Sequence, residues 1–164
     1  MRTADYIQLA LLSVMMGVCK PKDAEVSRTL KMQAVHIVDG DTFDGRDGST
    51  TLRIRLHGID APERGQDFSR KSKETLGELC GNGPLSIGLT EKDRYGRWVA
   101  VVHDSRGLCV NEEMVARGMA WHFTRYSSDA RLERLEAKAR RSRIGLWAMD
   151  NPTPPWEYRD AKRR

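Results

Sequence analysis

The sequence predicts an α+β fold, a five-stranded barrel of Greek-key type with about three helices packed against one side. Three observations predict it. Five short runs carry strand character, a helix-periodic segment falls after the third of them, and further helical segments follow the fifth. At 164 residues the chain has room for one domain with a true core and short tails, and not for two comfortable domains.

Residues 1–19 read as an apolar leader: after Arg2, the stretch from Ile7 to Val18 is interrupted only by Gln8, Ser13 and Gly17, and Cys19 and Lys20 follow. A run of about a dozen residues has the length of an export signal's apolar region and is too short to span a bilayer. Cys19 behind it admits a lipoprotein-type membrane tether, although Val18 stands where a small residue is usual. The competing reading is an ordinary buried helix. Export to the periplasm or the medium is the expectation, with a cytoplasmic location as the alternative. Residues 20–29, beginning "KPKDAEVS", read as a polar linker.

The domain itself is expected over residues 30–148. From Leu30 to His57 the pattern is a strand meander, "LKMQAVHIV" and then "TFDGRDGSTTLRIRLHGI", with Asp44-Gly45 and Asp47-Gly48 supplying turn chemistry. Gln66 to Cys80 changes period, with Phe68, Leu76 and Leu79 among charged residues, and stops at Gly81-Asn82-Gly83 as a helix does. Leu85 to Thr90 and Arg97 to His103 return to strand. Asn111 is placed to cap a short helix through Arg117, with Gly118 as its stop. Ser128 to Arg143 is the clearest helix, with Leu132, Leu135 and Ala139 on one face and Arg131, Arg134, Lys138 and Arg141 elsewhere. Residues 149–164 form a basic tail containing proline and tryptophan, which Trp147 and Trp156 are expected to pin to the surface. An oligonucleotide-binding (OB-fold) barrel is one fold with this order of elements, and pattern alone does not choose it over other α+β arrangements.

Lysine and arginine number 28 against 23 acids, a net charge of +5. That modest bias suits polyanionic partners without establishing one. Of the three cysteines, Cys80 and Cys109 remain once the leader is set aside. An even count can pair as a disulfide in an oxidising compartment, and two unrelated buried thiols are the other reading.

The chemistry is concentrated in a few short stretches. "RLHGIDAPER", Arg55 to Arg64, begins as a strand alternating basic and apolar side chains and ends in an acid, a proline, a second acid and an arginine. Pro62 stiffens the chain and holds Ala61 extended, so Asp60 and Glu63 are placed and not merely solvated. "VDGDTF" sets Asp39 and Asp41 two apart, on one side of an extended chain, with Gly40 allowing the backbone to deviate. Four carboxylates with no cysteine or histidine at ligand spacing select a hard cation such as Ca²⁺ over zinc. An EF-hand starting at Asp39 would need glycine where Asp44 stands and a bidentate acid where Thr50 stands, so that loop is excluded. Simple turn formation remains the alternative for each acidic motif.

Arg55 leads into Asp60, and Arg97 follows "DRYG". A guanidinium presents a planar donor fork matched to phosphate oxygens and keeps its charge at any working pH. The alternative for both is structural pairing with the acids, and Arg53 is a second candidate phosphate ligand on the face of Arg55. His36, His57, His103 and His122 show no metal spacing and read as strand or surface residues. Trp98 and Trp121 read as core packing ahead of base stacking.

Asp39-Gly40-Asp41-Thr42, Arg55 through Asp60-Ala61-Pro62-Glu63, Asp93-Arg94-Tyr95-Gly96-Arg97, and Val110-Asn111-Glu112 with Gly118-Met119-Ala120 occur in that order over Met32 to Trp147. This set resembles the staphylococcal (micrococcal) nuclease, or thermonuclease, family. The resemblance implies an OB-fold barrel and a Ca²⁺-dependent phosphodiesterase, an endonuclease acting on DNA and RNA. It implies Asp41 and Asp60 as carboxylate ligands of Ca²⁺, the Ala61 backbone carbonyl as a third, and Asp39 in the outer shell. Glu63 matches the family's acid that accepts a hydrogen bond from the attacking water, and Arg55 and Arg97 match the arginines that grip the scissile phosphate. Arg94, Tyr95 and, loosely, Tyr126 match positions that contact a nucleotide phosphate. Ala61 departs from a common threonine, a change that a carbonyl ligand survives. The competing readings are a noncatalytic OB-fold module that binds nucleic acid or protein, and a calcium-binding structural domain. A monomer with DNA and RNA as substrates and no stable protein partner is expected.

Overall fold

The computed structural model describes residues 24–163, so the leader and the first part of the linker lie outside the described residues. Strands β1 (Arg28–Ile37), β2 (Thr42–Asp47), β3 (Thr50–Leu56), β5 (Leu85–Lys92) and β6 (Trp98–His103) close into a barrel in the order β1-β2-β3-β6-β5. All neighbours are antiparallel except β3 and β6, whose parallel pairing of Arg55 with Val99 completes the closure. Among the described residues four α-helices accompany the barrel: α1 (Ser69–Cys80), α2 (Val110–Ala116), α3 (Ala130–Arg141) and α4 (Pro155–Lys162). The five-stranded barrel with packed helices is the predicted architecture, with one helix more than expected.

Alternation decides which side of each strand is inside. On β3, Ile54 and Leu56 are buried while Arg53 is exposed and Arg55 lies half-buried between them. Phe43, Ile54, Leu56, Ile87 and Val102 fill the barrel, and Leu76 of α1 and Met114 of α2 join the same core. A second cluster joins Trp121, Ala139, Leu146 and Trp147. Among the described residues no helix is long and apolar enough to cross a membrane.

Several local expectations change in three dimensions. Asp47-Gly48 does turn β2 into β3, but Asp44-Gly45 stays inside β2, where Gly45 lies beside Met32 and Phe43. Asn111 is not a cap. It sits in the first turn of α2, where its Oδ1 accepts from the Val102 amide at 3.0 Å and its Nδ2 donates to the His57 and Ala100 carbonyls at 2.9 and 3.1 Å. A buried amide that satisfies three backbone groups ties the helix to the barrel. The helix expected over Ser128 to Arg143 runs from Ala130 to Arg141 and is capped by Asp129, whose side chain accepts from the Arg131 amide at 2.8 Å. Cys80 and Cys109 are both buried and form no disulfide with each other. Burial, with Asp104 nearby, pushes the Cys80 thiol up to about 12, which suits an inert core residue.

Gly118 follows α2 with a φ of 62°, and its carbonyl accepts a hydrogen bond from the Leu146 amide at 2.9 Å. A Cβ there would come within 2.2 Å of the Ile144 carbonyl oxygen. Gly118→Ala combines left-handed backbone with a backbone clash and is expected to cost on the order of 3 kcal/mol or more, read from urea melts. A loss below about 1 kcal/mol would mean that the Gly145–Ala148 3-10 helix shifts freely.

Candidate active site

The acids gather because two separate pieces of chain are stitched together. Asp39 and Asp41 lie in the tight connection between β1 and β2, closed by the Val38 and Asp39 amides donating to the Thr42 carbonyl at 2.9 and 3.2 Å. Gly40 is there for room: a Cβ on it would fall 1.9 Å from Ser72 Oγ and 2.8 Å from the Ala61 Cβ. Its φ is not positive, so close approach to α1, and not backbone freedom, explains the residue. Asp60 belongs to a two-residue strand, β4 (Ile59–Asp60), paired antiparallel with β7 (Trp121–His122) so that Asp60 opposes Trp121. Trp121 is in turn packed edge-on against Trp147, with ring centroids 5.2 Å apart. Glu63 follows Pro62, and its amide donates to Gln66 Oε1 at 2.8 Å.

Hydrogen bonds then orient the carboxylates. Asp41 Oδ1 accepts from the Thr42 hydroxyl at 2.9 Å and Oδ2 from the Ala61 amide at 2.9 Å, which joins the two acidic motifs directly. Asp39 Oδ1 accepts from the Asp41 amide at 3.0 Å. Arg55 bridges the acids: its Nη1 pairs with Asp41 Oδ2 and its Nη2 with Asp60 Oδ1 at 3.0 Å. Arg97 is clamped by Asp93, Nε to Oδ2 at 2.7 Å, and reaches the same cluster through Nη1 to the Thr42 hydroxyl at 3.5 Å. The Asp93 carboxylate also accepts the Tyr95 and Arg97 amides at 2.9 and 3.0 Å, which fixes the "DRYG" hairpin that carries Arg97.

The electrostatics are those of crowded acids held by arginine. Burial, then the neighbouring Asp41, pushes the Asp39 carboxyl up to about 6. Burial alone would also raise Asp41, but Arg55, the Ala61 amide and the Thr42 hydroxyl outweigh it and hold that carboxyl below the usual range. Asp60 goes the other way, because burial wins over Arg159 and Arg55 and raises it.

Asp39, Asp41, Asp60, Ala61, Glu63, Arg55 and Arg97 thus come together. The other predicted residues divide. Arg94 lies over the Tyr95 ring at 5.0 Å, and Tyr95 is 70% exposed, an accessible aromatic at the rim. Tyr126, 65% exposed, leans on Phe123 at 4.9 Å, and Phe123 in turn stacks on Trp156. Arg53 is paired with Asp44, Nε to Oδ1 at 2.8 Å, and half of its side chain is exposed. Trp121 is buried, and His122 is no surface residue: it is buried beside the Ser127 hydroxyl at 3.3 Å.

Arg159 was absent from the sequence-based expectations. The segment "PPWEYRDAK", expected as a tail pinned to the surface, forms helix α4, with Pro155 in its first turn and Arg159 and Lys162 in its last. Proline at the start and bases at the end are helix signals that could have found it. Nothing local indicates where Arg159 points. Its Nη2 donates to Asp60 Oδ2 at 2.7 Å and its Nη1 to Glu63 Oε1 at 2.5 Å.

Among the described residues, no three side chains of His, Cys, Asp or Glu form a metal-holding group by themselves. The side chains at the centre offer a pair of carboxylates, Asp41 and Asp60, bridged by a guanidinium. An all-oxygen pair beside a backbone carbonyl fits a hard cation that takes its remaining ligands from water, and does not fit zinc.

A closed five-stranded barrel bearing a cluster of aspartates, one glutamate and three arginines defines a protein of the nuclease-barrel class. Comparison with known proteins agrees: the family model for "Staphylococcal nuclease homologue" matches residues 53–149, more than half of the chain. The chain is 38% identical over 130 residues to an "Uncharacterized endonuclease" of Escherichia coli, covering 79% of this chain and 85% of that one. It is 37% identical over 141 residues to a "Micrococcal nuclease" of Shigella flexneri, covering 80% and 81% respectively. A "Staphylococcal-like nuclease" of Arabidopsis thaliana is 40% identical over 112 residues, 68% of this chain but only 34% of the plant protein. The chain belongs to the staphylococcal nuclease family.

Proposed function

We propose that the protein is a Ca²⁺-dependent phosphodiesterase that hydrolyses DNA and RNA without regard to the sugar. The observation that carries this reading is the convergence of Glu63, Asp41, Asp60, Arg55 and Arg97, from four segments of the chain, within one hydrogen-bonded cluster. A noncatalytic binding barrel has no need to keep this whole set.

Asp41 and Asp60, with the Ala61 carbonyl, would hold the cation, and Asp39 supports Asp41 through its amide. Bound Ca²⁺ supplies a Lewis acid for a phosphoryl oxygen. Glu63, at the edge of the cluster with a 39% exposed side chain, accepts the proton of the attacking water or orients that water. Arg97 and Arg55 donate to the phosphate and offset the negative charge that grows on its oxygens as attack proceeds. Tyr95 and Arg94 give a neighbouring nucleotide an exposed ring and a positive charge to lie against.

The test is cleavage of single-stranded DNA and of RNA by the purified chain in Ca²⁺ and in EGTA. Loss of both substrates in Ca²⁺ with intact strands in EGTA is expected. Intact strands under both conditions, from a chain that circular dichroism shows to be folded, would overturn the reading. The leader of residues 1–19 extends the proposal to an exported enzyme, periplasmic or secreted.

A further inference from the structure

Every oxygen of Asp60 is engaged by a guanidinium. Arg55 Nη2 takes Oδ1 at 3.0 Å, and Arg159 takes Oδ2 at 2.7 Å with a second, longer contact to Oδ1 at 3.3 Å. The remaining fork of Arg159 is spent on Glu63, at 2.5 Å. These two carboxylates are the groups that the proposed reaction needs free, one for the cation and one for the water.

The helix that delivers Arg159 is weakly held elsewhere. It has eight residues, and an isolated helix of that length is marginal in water. Of its side chains only Pro155 is buried. Trp156 stacks on Phe123 at 5.3 Å with the rings 8° from parallel, Gln66 Nε2 donates to the Thr153 carbonyl at 2.9 Å just before the helix, and the Tyr158 hydroxyl lies over Gly65. Against this small contact stands the acid pair, which binds Arg159 strongly enough to raise its guanidinium above the ordinary arginine value despite burial.

We propose that Arg159 is a tethered cation holding the place of the metal at Asp60 and Glu63, so that docking of α4 and binding of Ca²⁺ exclude one another. This rests on the calcium reading above. In the metal-free chain two guanidiniums neutralise the acids. Ca²⁺ brings two charges to the Asp41–Asp60 pair and displaces Arg159, while Arg55, anchored on β3, stays in the cluster. Release of α4 uncovers Glu63 and opens the side of the site that faces Phe123 and Tyr126. Apparent calcium affinity is then reduced by the fraction of molecules with α4 docked, and calcium loosens α4 by the same factor.

The test uses the full-length chain without substrate. Hydrogen–deuterium exchange over residues 155–162 is followed with and without Ca²⁺, and calcium binding is measured by calorimetry for wild type, Arg159→Ala, Arg159→Lys and Trp156→Ala. Calcium is expected to speed amide exchange across α4 about tenfold or more in the wild type. Arg159→Ala and Trp156→Ala are both expected to bind Ca²⁺ about tenfold more tightly, with Arg159→Lys between them and wild type. Trp156→Ala frees the helix without altering the charge of the chain, so its effect separates displacement from simple removal of a positive charge. Calcium that binds and supports cleavage while α4 exchange is unchanged or slowed would overturn this proposal alone. Absence of calcium binding in every variant would overturn it together with the calcium reading.

Discussion

Glu63→Gln is expected to lower the rate of phosphodiester cleavage on the order of a thousandfold at saturating Ca²⁺, with little change in thermal stability. The amide keeps the shape of the side chain and its capacity to accept a hydrogen bond, but it cannot take a proton from water. The loop around it is held by other groups: the Glu63 amide donates to Gln66 Oε1 at 2.8 Å, and the Gln66 amide returns to the Glu63 carbonyl at 2.8 Å. Among the described residues the carboxylate itself pairs with Arg159, in a site open enough that the loss of this pair costs about 1 kcal/mol or less. Single-turnover cleavage beside a melting curve checks both halves. A rate within about tenfold of wild type would remove Glu63 from the role of base.

Arg97→Ala is expected to raise the barrier by about 3 kcal/mol, a loss on the order of a hundredfold or more in rate, as for removal of one preorganised donor. Preorganisation is visible in the structure. Asp93 holds the Arg97 backbone amide and the guanidinium at once, and the Tyr95 ring lies 5.4 Å from its Cζ. Arg97→Lys is expected to recover only part of the activity, because an ammonium offers no planar fork. If lysine restores full cleavage, Arg97 acts through charge alone. Arg97 is a cleaner probe than Arg55, whose side chain is 13% exposed and bridges Asp41 and Asp60. Truncating Arg55 takes the guanidinium from buried Asp41 and one of the two that hold Asp60, which confounds catalysis with stability.

The parts of this protein that were legible early share a physical property: their cause is local. Strand alternation marked β3, with Ile54 and Leu56 inward, and helix periodicity marked α3, with Leu132 and Ala139 buried. Pro62 after Ala61 announced a fixed turn, and the acids on either side of it stand in the cluster. The misread features depend on partners distant in sequence. Asn111 has the residue type of a cap, yet its amide is used up by Val102, His57 and Ala100. Asp44-Gly45 has the dipeptide of a turn, yet its backbone is consumed by pairing with β1 and β3. Cys80 and Cys109 make an even count, and the fold buries them as separate thiols.

The sequence by itself determined the order of strands and helices and, through the order of its motifs, the acids and arginines of the cluster other than Arg159, because hydrophobic period, turn residues and motifs act over short spans of chain. Only the tertiary structure decided how that set is wired. Arg55 bridges Asp41 and Asp60, Gly40 is pressed against Ser72, and β4 locks Asp60 opposite Trp121. It alone decided that Arg159, 96 residues beyond Glu63 in the chain, closes on Asp60 and Glu63. A guanidinium finds a carboxylate by proximity and charge in the folded state, and the sequence around Arg159 carries no trace of the partner it will meet.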